Sequence, residues 1–138
     1  MIEKQLSMFL ENKPGVLASV CKTLGEHDIS IRGMSISDTV DHAVVRLIVD
    51  QPQKALHILG DHGALVVETD VLAVNLPDKP GELGKLAAKF ARGKVSIEYA
   101  YGTAGGNGAT VFVRVSDVKQ AMKLLSSKKS PKKKGAKK

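Results

Sequence analysis

Shifted by 66 residues, the chain aligns with itself without a gap, and this duplication limits its fold more than any other feature. Asn12-Lys13-Pro14-Gly15-Val16-Leu17 falls on Asp78-Lys79-Pro80-Gly81-Glu82-Leu83. Leu6 and Leu10 fall on Leu72 and Leu76, Ser30-Ile31 on Ser96-Ile97, Val45 and Val49 on Val111 and Val115. Two unrelated amphipathic units would share a periodicity. They would not share Lys-Pro-Gly-x-Leu at the same offset.

Both copies read alike. Gln5 to Leu10 is a short apolar run before a turn, hence a strand. Pro14-Gly15 opens a helix, because a proline in the first turn sacrifices no hydrogen bond. Leu17, Val20, Cys21 and Leu24 then make one apolar helical face, which Leu83, Leu86, Ala87 and Phe90 repeat. Ile29 to Ser37 and Ala43 to Val49 form a hairpin. Asp50 is a candidate cap for a second helix carrying Ala55, Leu56 and Leu59, and Leu65 to Val67 begins a fourth strand.

The order β-α-β-β-α-β gives an α+β fold: two ferredoxin-like units side by side, each with strands on one layer and two helices on the other. The expected boundaries are 1–68 and 69–125, with a lysine-rich tail at 126–138 expected to be disordered. The second unit runs out of sequence after its second helix. Its sheet therefore has three strands, or another segment fills the place: the Leu65–Leu76 stretch, long enough to serve both units, or a partner chain.

Composition narrows the function. Lys and Arg number 21 against 14 Asp and Glu, but seven lysines lie between Lys128 and Lys138 with no acid among them. Residues 1–125 then hold 14 of each sign, so the net charge of +7 is assigned to the tail and not to a basic binding face. One cysteine excludes an intramolecular disulfide and a Cys-based zinc site. No long apolar run or signal-like start occurs, which leads to the expectation of a soluble, cytoplasmic chain with no membrane contact. The four histidines lack metal-ligand spacing, and no cofactor motif stands out. Gly102 to Gly108 matches neither dinucleotide nor P-loop patterns and reads as a hairpin connection. Tyr99 and Tyr101 share a strand face, but Ala109 to Val115 lacks the aromatic and basic residues of an RNA-binding sheet. With no catalytic constellation, the chain reads as a non-enzyme.

The repeated Lys-Pro-Gly-x-Leu between first strand and first helix, with Ile29-Ser30-Ile31 and Val95-Ser96-Ile97-Glu98-Tyr99 at the second strands, resembles the ACT domains in tandem. The resemblance covers residues 4–125. It implies small regulatory modules that bind amino acids, often between modules against a neighbour's second strand. On that implication Ile29, Ser30, Ile31, Val95, Ser96 and Ile97 form walls.

The turns suit such a ligand on physical grounds too. Gly15 and Gly81 lack Cβ and admit close backbone approach. Helix-start N–H groups at residues 15–17 and 81–83 have no intrahelical acceptor and, with the helix dipole, favour a carboxylate. Asn12 both donates and accepts, whereas Asp78 suits an α-ammonium, so the two sites should differ. The candidate ligand residues are therefore Asn12 to Leu17 (Lys13, Pro14, Gly15 and Val16 between them), Asp78 to Leu83 (Lys79, Pro80, Gly81 and Glu82 between them), and the six wall residues. The competing explanation is that Asn12 and Asp78 cap helices.

Three functions follow. The first is a sensor or regulatory homodimer binding an amino acid or similar metabolite. The second is an interaction module or regulatory subunit of a partner enzyme of amino-acid metabolism, without a ligand of its own. In the third, the tail attracts nucleic acid weakly and in a salt-dependent way.

Overall fold

The computed structural model describes residues 1–11, 13–38, 42–105 and 108–127. They form two compact units, residues 3–70 in one and residues 1–2 with those from Val71 onward in the other.

The first unit is built from β1 (Ile2–Glu11), α1 (Val16–Glu26), β2 (Ile31–Asp38), β3 (His42–Val49), α2 (Pro52–Asp61) and the start of β4 (Val66–Leu76). Its strand order is β2-β3-β1-β4, the ferredoxin-like order that the repeat predicts. Leu6 stands opposite Leu47 and Met8 opposite Val45, so alternate residues of both strands share one face. Those four meet Leu24 from α1 and Ala55 and Leu59 from α2 in a buried cluster. Burying each large apolar side chain stabilises the unit by about 1.5–3 kcal/mol. Lys4 on β1 and Asp70 on β4 form an exposed ion pair at 2.7 Å.

The second unit follows with the rest of β4, α3 (Glu82–Arg92), β5 (Ile97–Gly105), β6 (Gly108–Val115) and α4 (Val118–Ser127), in strand order β4-β6-β5. Leu72, Leu86, Phe90, Val113, Val115 and Ala121 make its core. Met1 pairs with the start of this part of β4: the Ala73 N–H donates to the Met1 carbonyl at 2.8 Å. Of the ways to complete this sheet, β4 does continue from Val66 to Leu76 and serves both units, and Met1–Ile2 add themselves beside it. Helix α4 reaches Ser127, two residues into the stretch read as tail.

The 66-residue repeat persists in the hydrogen bonds. Ile29 N–H reaches the Leu24 carbonyl and Val95 N–H reaches that of Phe90, closing both first helices. Asp28 (φ 59°) and Lys94 (φ 63°) take the left-handed backbone that these closures require. Both second strands carry an irregularity two residues wide, at Ile31/Gly33 and Ile97/Tyr99.

Three local readings are corrected. Strand β2 begins at Ile31, not Ile29, because the chain is still turning out of α1 at Asp28. Asp50 does not cap α2: its Oδ1 accepts from the Ser30 N–H at 3.0 Å, and Gln51 holds the cap position without a side-chain bond. Pro14 precedes α1 and does not lie in its first turn, since the helix starts at Val16.

Candidate functional site

Lys13-Pro14-Gly15-Val16 and Lys79-Pro80-Gly81-Glu82 fold into the same four-residue turn. Pro presets the second position, and Gly supplies positive φ at the third, 89° at Gly15 and 90° at Gly81. Each turn is closed by the fourth residue's N–H on the first residue's carbonyl, at 3.4 Å in both copies. This pattern is a type II turn, and it leads directly into a helix. Each helix then begins its own ladder with Ser19 N–H on the Gly15 carbonyl and Lys85 N–H on that of Gly81, both at 3.0 Å.

The N–H groups of Val16 and Glu82 are therefore used by the turn. Those of Leu17, Ala18, Leu83 and Gly84 have no acceptor among the described residues. Two adjacent donors at a helix start favour an anionic oxygen. Asn12 lies outside the described residues. Asp78 is exposed at the start of its turn, and Lys13 pairs with Glu11 at 3.4 Å.

A broad groove of about 800 Å³ opens beside the first turn. It takes in Lys13, Pro14, Gly15 and Val16 among the expected residues. Its walls also include Ser19 and Thr23 from α1 and Leu59 and His62 from the end of α2. The Thr23 hydroxyl donates to the Ser19 carbonyl at 3.0 Å. His62 Nδ1 lies 2.8 Å from the Ile58 carbonyl, so Nδ1–H donates there and Nε2 is left toward the groove's other groups or solvent. Sequence reasoning missed these wall residues. The helical stripe Val16, Ser19, Val20, Thr23 was the available signal, but it sits beside the buried face and not on it.

The second unit has the corresponding hollow, about 270 Å³, and its lining differs. Where the first has Val16, Ser19 and Thr23, the second has Glu82, Lys85 and Lys89, with Arg92 one turn on. Glu82 and Lys85 pair at 3.1 Å. A separate apolar hollow of about 300 Å³ is lined by Leu83 at the start of α3 and by Tyr101, Ala100, Ala109 and Val111.

The expected wall residues are not brought to the turns within their own units. Ile29 and Val95 are core residues. The Ser30 backbone is occupied on both sides by Asp50, and that of Ser96 by Ser116. Ile31 and Ile97 begin the second strands, Ile31 partly exposed and Ile97 packed on the core. Tyr101 lies against Phe112, ring centroids 5.5 Å apart. Among the described residues no group of His, Cys, Asp and Glu could hold a metal ion, and no helix is long and apolar enough to cross a membrane.

A family described as the ACT domain pair matches residues 1–131. The chain belongs to the ACT domain pair family. A crystal structure of a Bacteroides thetaiotaomicron protein is 37% identical, with 94% of this chain and 90% of that one covered and a TM-score of 0.90. Two more distant likenesses support the ACT fold. The regulatory subunit of aspartate kinase from Thermus thermophilus, in a ligand-free form, is 16% identical, with 91% of each chain covered and a TM-score of 0.67. That from Thermus flavus is also 16% identical, with 92% and 93% covered and a TM-score of 0.63. No curated protein sequence matches the chain. In an ACT pair the turn between first strand and first helix is duplicated by construction, and here its glycine backbone and its closing bond are duplicated as well.

Proposed function

We propose that this ACT domain pair is a non-enzymatic regulatory protein that binds an amino acid or a similar small metabolite at its strand-to-helix turns. The observation that carries the reading is the first turn. There Gly15 sits in a left-handed conformation, the Leu17 and Ala18 N–H groups have no acceptor among the described residues, and a groove with Ser19, Thr23 and His62 opens alongside. A ligand carboxylate on those two N–H groups satisfies donors that the fold leaves over. The hydroxyl oxygens suit the ammonium end. The two turns select differently, because Ser19 and Thr23 are replaced by Lys85 and Lys89 in the second copy.

In this reading the protein works in the cytoplasm as a homodimer or as the regulatory subunit of a partner enzyme. Ligand binding shifts that association by as much as the ligand prefers one state. Edge strands β2 and β5 offer the backbone groups for such pairing.

Thermal unfolding in the presence of each of the twenty amino acids tests the proposal. One ligand should raise Tm by several degrees, since saturation at 100 times Kd adds about 2.7 kcal/mol. Ser19→Glu places a carboxylate in the groove, leaves the turn intact and should remove the shift. A chain that responds to no amino acid would instead be an interaction module without a ligand.

A further inference from the structure

The balance of charge in residues 1–125 conceals an opposition between the two units. Residues 3–70 hold six Lys and Arg against ten Asp and Glu. Residues 71–127 hold eight against four, and residues 128–138 add seven lysines and no acid. The expectation that only the tail is basic is thus corrected: the second unit is basic without it, and the first is acidic.

The second unit's cations concentrate on its helices. Lys85, Lys89 and Arg92 recur at i, i+4 and i+7 along α3, and Lys119 and Lys123 at i and i+4 along α4. Lys94 follows in the turn after α3. Two acids lie nearby: Glu82, paired with Lys85, and Asp117, whose Oδ1 accepts from the Gln120 N–H at the start of α4. The repeat does not require this stripe, since α1 carries Ser19, Thr23 and Glu26 at the equivalent places. Lys85, Lys89 and Arg92 rim the hollow floored by Leu86 and Leu125. Helix α4 ends two residues past Leu125, and residues 128–138 follow it in the sequence.

We propose that α3 and α4 form a docking surface for the phosphate backbone of nucleic acid, next in sequence to the seven lysines of residues 128–138. From Lys85 to Arg92 the stripe runs about 10 Å at 1.5 Å per residue. That is close to the axial rise over three phosphate-to-phosphate steps of one strand, about 3.4 Å each. Helices that lie in a membrane interface set large apolar side chains beside their cations. On α3 and α4 the exposed large apolar side chain among the described residues is Leu83, at the very start of α3. The acidic first unit repels phosphate, which confines contact to the second. Contacts to the phosphate backbone carry no base information, so binding is independent of sequence.

The test is fluorescence anisotropy of a labelled DNA duplex with the full chain, over about 50 to 200 mM salt. Binding should be measurable at the low end and fall steeply with salt. Replacing Lys85, Lys89 and Arg92 together by Gln in the full chain should weaken it and reduce the salt slope by about one per cation removed. Deleting 128–138 should leave weaker, still salt-dependent binding, which the triple replacement then abolishes. Should the triple variant fail to fold by circular dichroism, Lys85→Glu at the exposed end of the stripe gives the same reading with one change. No binding at low salt overturns the proposal. So does an unchanged affinity and slope in the stripe variants, which would assign the attraction to the tail alone. Tighter retention on phosphatidylserine vesicles than on DNA overturns the choice of nucleic acid.

Discussion

Gly15 and Gly81 stand 66 residues apart and hold one backbone conformation, φ 89° with ψ −15° in the first and φ 90° with ψ −11° in the second. A Cβ added at either would meet no atom within 4 Å. The glycines are therefore explained by backbone conformation and not by crowding. Gly15→Ala and Gly81→Ala should each destabilise the protein by about 1–2 kcal/mol, the cost of holding an L-residue in that region. Asn should be tolerated better than Ala. Urea unfolding of the single and double variants measures this. The two losses should add, because the turns share no partner. A neutral Ala variant would mean that the turn relaxes without cost.

Ser30 and Ser96 are held by equivalent bonds to different chemistry. Ser30 N–H donates to the Asp50 carboxylate and Ser96 N–H to the Ser116 hydroxyl, each at 3.0 Å. Asp50→Ala should cost about 1 kcal/mol or somewhat more, and Ser116→Ala about 1 kcal/mol or less, because a charged acceptor bonds more strongly. Amide hydrogen exchange should accelerate at Ser30 in the first variant and at Ser96 in the second. Exchange unchanged at both would show that the neighbouring backbone pairing holds these residues unaided.

The Lys4 ammonium is held above its ordinary pKa of 10.5, chiefly by its hydrogen bond to Asp70 and then by that carboxylate's charge. A raised folded pKa means that the stabilisation is fully present at neutral pH. It disappears as the pH rises through and beyond that of the unfolded lysine. The wild type should accordingly lose more stability than Lys4→Gln on going from neutral pH to above about pH 10.5. The difference should be small, since the pair is exposed, and should shrink in high salt. Parallel pH profiles for the two proteins would show that the pair contributes nothing.

The fold was legible because its signals are local and occur twice. Pro-Gly marked both turns, the Leu17/Val20/Leu24 spacing marked a helix, and the 66-residue offset tied the copies together. Errors arose where a side chain had two local options. Asp50 beside a helix start is a natural cap, yet its carboxylate turns to Ser30, twenty residues away in sequence. The turns themselves were visible as candidate sites. The groove walls at Ser19, Thr23 and His62 were not, because a hydroxyl or imidazole beside an apolar stripe looks like ordinary helix surface until α2 is packed against α1.

The sequence by itself determined the unit, its duplication and the conformation of its turns, since these depend on contacts between near neighbours and on residues such as Gly15 with few alternatives. Only the tertiary structure decided that Met1 pairs with Ala73 on β4 and that β4 is divided between both units. Those outcomes depend on which distant segments share a unit. Strand pairing joins residues across the whole chain, and no local pattern records the partner.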